Sequence, residues 1–123
     1  MKKKTKKDFE AYVFRIIKKY IPVLFLQRNT FEVEQGTKDK NAYFEARLAY
    51  PYLNQKILYS DEAIKDYADG KDMTPFIVHE ICHAVTDPFY YKATERYVTE
   101  KEIEHERELL TDHVCNIVLR IKK

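Results

Sequence analysis

FIVHEICHAV, residues 76–85, is the stretch on which the reading of this chain turns. It has no glycine or proline inside it. It follows Thr74-Pro75, a favourable helix start because proline at the first helical position loses no hydrogen bond. On a helix, His79 and His83 project from one face a single turn apart, so their ring nitrogens can share one metal ion. Glu80 lies beside that face, where a carboxylate can take a proton from a water at the metal. A chance HExxH match is expected in about one chain in a hundred, so a third ligand is needed to decide.

That ligand does not follow shortly after the motif, where positions 89 and 90 are Phe and Tyr. The Asp87-Pro88 pair reads as the end of the motif helix, and 89–98 reads as a loop or a short helix. Residues 99–121 form a second long helix. It opens on Thr99 with Glu102 placed for a capping box, and carries carboxylates at 100, 102, 104, 106 and 108. Of these only Glu108 has an aspartate one turn on, Asp112. The pairing makes chemical sense, since one carboxylate can bind the metal while the other accepts the second N–H of a ligating histidine.

HEICH with ELLTD (108–112) resembles the gluzincin zinc proteases, the thermolysin-like and minigluzincin group, across roughly residues 43–118. The resemblance implies a minimal zincin-like domain in which His79, His83 and Glu108 hold one zinc ion. It also implies that Glu80 is the general base and that Asp112 orients a histidine. The hydrophobic spacing agrees, with Leu110, Val114, Ile117 and Val118 expected on the buried side. Arg107 departs from the pattern, because larger members often carry a small or polar residue before the glutamate. The substrate is expected to be a peptide or protein, extended along a sheet edge.

Upstream, Phe9, Tyr12, Val13, Ile16, Ile17 and Tyr20 recur at helical spacing. They predict an amphipathic helix from Asp8, its N-cap, to about Arg28, ended or kinked by Pro22. The basic run at 1–7 is expected as a disordered tail and 8–123 as one domain. TFEVEQ (30–35) alternates and is broken by Gly36, YFEARLAY (43–50) alternates again, and QKILYS (55–60) returns from a turn at Pro51. The run Ile57-Leu58-Tyr59 is apolar on both faces and suits a central strand, which leaves YFEARLAY as the edge. Asp61 caps a short helix ending near Gly70. The order of helix, three strands and helices is an α+β layout.

The chain has 123 residues, enough for one domain, and its hydrophobic fraction of 45% excludes general disorder. A net charge of +2 gives no reason to require nucleic acid, and no apolar run is long enough to span a membrane. Two cysteines make no disulfide framework, and the expected location is cytoplasmic. Cys82 and Cys115 read as small buried side chains and His113 as packed or half-buried. His105 lies about 60° from Glu108 on the helix wheel, which makes it a candidate for stabilising the transition state. Two rival functions remain: a non-catalytic zinc-stabilised module that binds a partner, and a regulatory protease that cleaves one specific protein. A purely structural site has no use for Glu80.

Overall fold

In the computed structural model, which describes residues 2–49, 53–94 and 100–121, the chain is an α+β domain of four helices and a three-stranded mixed sheet. The order is α1 (Lys2–Leu24), β1 (Thr30–Gln35), β2 (Phe44–Leu48), β3 (Asn54–Tyr59), α2 (Asp61–Ala68), α3 (Thr74–Thr94) and α4 (Glu100–Ile121).

The helix α1 begins at Lys2 rather than at Asp8, so the basic run belongs to it. Lysine is a good helix former, and nothing between residues 2 and 8 breaks a helix. Pro22 does bring α1 to its end, two residues later. Phe25 then takes a left-handed φ of 56°. The N–H of Leu26 reaches back to the carbonyl of Ile21 at 2.9 Å, and that of Phe25 to Pro22 at 3.4 Å. This closing motif usually has glycine where Phe25 stands. The inner face of α1 is the one the spacing predicts: Phe9, Val13, Ile16, Ile17 and Tyr20 are all buried.

The strands agree with the alternation. β3 is central, antiparallel to β2 (Phe44 opposite Tyr59) and parallel to β1 (Thr30 opposite Asn54). β2 is therefore an edge strand. Pro51, expected in the β2–β3 turn, lies outside the described residues. Ile57 and Tyr59 of β3 join Phe9 and Val13 of α1 and Ile77 and Ile81 of α3 in one core. Truncating a buried aromatic such as Phe9 to alanine costs about 3–5 kcal/mol in such a core.

The cap of α2 is Ser60, not Asp61: the Ser60 hydroxyl accepts the N–H of Ala63 at 3.2 Å. The larger correction concerns α3. Asp87-Pro88 does not stop it, and the helix continues to Thr94. An internal proline forfeits one backbone hydrogen bond and crowds the preceding turn, at a cost of about 3 kcal/mol. Side-chain anchors on both sides of Pro88 offset this: Asp87 is buried and ion-paired to Arg107 of α4, and Tyr90 packs its ring on the same guanidinium.

The helices α3 and α4 run in opposite directions, as the contacts Pro75 with Cys115, Thr86 with Thr111 and Tyr90 with Arg107 show. The buried side of α4 is Thr111, Cys115 and Val118, while Leu110 and Ile117 are exposed. His113 is exposed as well. The phase is set by a polar contact: the Thr111 hydroxyl lies 2.8 Å from that of Thr86 and 2.8 Å from the carbonyl of Arg107. The expected cap at Thr99 lies outside the described residues. Among the described residues, no helix is long and apolar enough to cross a membrane.

Candidate metal centre

One turn of α3 presents His79 and His83, whose rings meet edge to face with centroids 5.0 Å apart. From α4, Oε1 of Glu108 comes to 3.2 Å from Nε2 of His79 and 3.5 Å from Nε2 of His83. One ligand atom from each of the three residues lies within 4.8 Å of the others. Two ligands about 2.0–2.1 Å from a tetrahedral zinc sit about 3.4 Å apart, so both nitrogen–oxygen separations suit that ion. The donor set, two imidazoles and a carboxylate, also fits zinc.

The far nitrogens of both rings are tied down. Nδ1 of His79 lies 2.7 Å from Oδ1 of Asp112, as the ExxxD spacing predicts. Nδ1 of His83 lies 2.8 Å from Oδ1 of Asp87, one turn further along α3. The Nδ1–H of His83 donates to Asp87, and Nδ1 of His79 faces Asp112 at ion-pair distance. Protons kept on both Nδ1 atoms would leave both Nε2 lone pairs for a metal, which would displace the Nε2 protons now shared with Glu108. Asp87 is thus the counterpart of Asp112, and sequence reasoning takes it for a helix stop. Its place four residues after His83 is the signal that identifies it. Arg107 completes the support: its Nε lies 3.1 Å from Oδ1 of Asp87 and 3.6 Å from Oε2 of Glu108.

The electrostatics follow from this packing. Hydrogen bonds to the two histidines hold the Glu108 carboxyl below the usual carboxylate range. The hydrogen bond to Glu108 raises the His79 pKa against the opposing effect of burial. For His83 burial is the largest single influence and lowers the pKa. Hydrogen bonds to Asp87 and Glu108 outweigh it and bring the group up to about 9. Burial pushes the Glu80 carboxyl up, opposed by the charges of His83 and His79. A carboxylate so destabilised is a better proton acceptor than one in water.

Glu80 is not drawn into the three-residue cluster; it lines two cavities that flank it. The first, about 350 Å³, is bordered by Phe44, Phe76, His79, Asp112 and Leu119. The second, about 440 Å³, is more polar and is bordered by Glu45, Arg47, His83, Arg107 and Glu108. Phe44 of edge strand β2 lines both, so the strand runs past the site. The structure therefore brings together His79, Glu80, His83, Glu108 and Asp112. His105 is exposed on α4 and borders neither cavity. Cys115 is buried, donates to the carbonyl of Pro75 at 3.7 Å and stays outside the cluster. Compared with known proteins, the chain matches no protein family, no curated sequence and no solved structure.

Proposed function

We propose that this chain is a zinc-dependent endopeptidase of minimal gluzincin type, with His79, His83 and Glu108 as the metal ligands. One observation carries the reading. Two imidazole nitrogens lie 3.2 and 3.5 Å from one carboxylate oxygen, and the three residues each offer a ligand atom within 4.8 Å of the others, while the carboxylate next to the first histidine stays outside the set. Zinc bound there would supply Lewis acidity, polarising a peptide carbonyl and lowering the pKa of water.

The chain's own groups account for the rest. Glu80, destabilised as an anion by burial, accepts the proton of the attacking water and passes it to the departing amine. Asp112 and Asp87 hold the imidazoles in the ligating tautomer. The free edge of β2 offers backbone groups to an extended peptide, which would bring its scissile bond past Glu80. The cavities on either side of Glu80 would take the flanking side chains. A purely structural zinc site is closed by protein ligands and keeps no base beside an open position, so the binding-module reading is the weaker one.

The test is cleavage of denatured casein by the purified protein, repeated after chelation and again after zinc is returned. The reading expects cleavage that chelation abolishes and zinc restores. Full zinc content without cleavage of any unfolded protein would reject a general endopeptidase.

A further inference from the structure

We infer that Arg107 binds the scissile carbonyl oxygen as negative charge develops on it, an inference that rests on the peptidase reading. Arg107 immediately precedes the ligand Glu108, and its Nε lies 3.6 Å from Oε2 of that residue. The other oxygen of the same carboxylate is the atom that faces both histidines. The guanidinium thus stands one carboxylate's breadth from the metal position. It borders the same cavity as Glu80, His83 and Glu108.

The group is held rigidly. Asp87 accepts its Nε–H, and the Tyr90 ring lies against the guanidinium with the centroid 4.4 Å from Cζ. Tyr90 also hydrogen-bonds the guanidinium, which carries four N–H donors besides the Nε–H given to Asp87, more than one phenol can occupy. Preorganised donors of this kind stabilise charge without having to reorient during the reaction.

Arg107 is the charge partner of buried Asp87, and that contact occupies its Nε–H. Other candidates are worse placed. The second cation bordering the cavity, Arg47, is engaged by Glu45 on β2, and its side chain is half exposed. His105 borders no cavity beside the site. Arg107 exchanges no proton and forms no covalent bond; it only holds the oxygen.

The test compares wild type with Arg107→Lys and Arg107→Gln. Lysine keeps a counter-charge for Asp87 but loses the planar fork. For each protein, zinc content, thermal stability, kcat and KM on one quenched peptide are measured. Affinity for a Leu-Phe dipeptide phosphonate, whose tetrahedral anion mimics the charged oxygen, is measured by calorimetry. Arg107→Gln is expected to keep its zinc, lose about 100-fold in kcat with KM nearly unchanged, and lose phosphonate affinity by a similar factor. Arg107→Lys is expected to recover only part of both. Phosphonate affinity equal to wild type in zinc-loaded Arg107→Gln would overturn the inference. So would loss of zinc in step with loss of kcat in Arg107→Lys, which would leave Arg107 only the support of Asp87. A zinc-loaded wild type that neither cleaves peptide nor binds phosphonate would remove the peptidase reading and this inference with it.

Discussion

Asp87 and Asp112 do the same job for the two histidines in different surroundings, so replacing each by asparagine should separate two effects. Asp87 is 1% exposed and Asp112 about 65% exposed as side chains. Losing the carboxylate behind a ligating histidine costs about 10- to 100-fold in metal affinity, and both variants should show this. Only Asp87→Asn also strips a counter-ion from buried neighbours, since Arg107 and His83 both pair with it. Breaking a buried pair costs about 3–5 kcal/mol; with the Arg107 side chain still 19% exposed, about 2–3 kcal/mol is the reasonable figure. In a chain of this size that is roughly a 10 °C drop in Tm. Asp112→Asn, exposed and screened, should change metal-free stability by less than about 0.5 kcal/mol. The assay is a thermal melt in chelator, paired with zinc titration against a chromophoric competitor. Equal metal-free Tm losses in the two variants would refute the reasoning, as would wild-type zinc affinity in Asp87→Asn.

Other expectations follow from the same contacts. Glu108→Gln should cut zinc occupancy strongly, while Glu106→Gln should leave it unchanged; equal losses would overturn the ligand assignment, and metal analysis decides. Asp72 accepts the backbone N–H and hydroxyl of Thr74 at the start of α3, and these bonds lower its pKa. Its contribution, about 0.5–1 kcal/mol, is present above the unfolded carboxylate pKa and lost as pH falls through the lowered folded value. Asp72→Ala should therefore destabilise at pH 7 and approach wild type in acid, as urea midpoints across pH would show. Phe25→Gly should raise stability by about 0.5–1 kcal/mol, because the phenyl is 85% exposed and its left-handed φ suits glycine.

Much of this arrangement is legible in the residues themselves. The spacing from Phe9 to Tyr20 corresponds to the buried face of α1, and the doubly apolar Ile57-Leu58-Tyr59 run to a central strand. Glu108 can be singled out among five acidic neighbours because Asp112 stands one turn beyond it, and the side chains do converge on His79. What escapes the sequence depends on contacts between distant segments. Asp87-Pro88 looks like a helix stop until Arg107 and Tyr90 are seen to anchor that turn. The rotation of α4 is ambiguous because Leu110 and Ile117 complete as good an apolar stripe as Cys115 and Val118. The Thr86–Thr111 contact, invisible to hydrophobic periodicity, selects between them. The parallel pairing of β1 with β3 is likewise a long-range choice, since alternation alone says nothing about which strand lies beside which.

The most direct test of the central claim is cleavage of denatured casein by zinc-loaded Glu80→Gln beside zinc-loaded wild type. Glu80 lies outside the three-residue ligand cluster, so the variant should bind zinc and melt as wild type does. Lacking the proposed proton acceptor, it should cleave at least about 100-fold more slowly. Cleavage at the wild-type rate by the fully loaded variant would contradict the account.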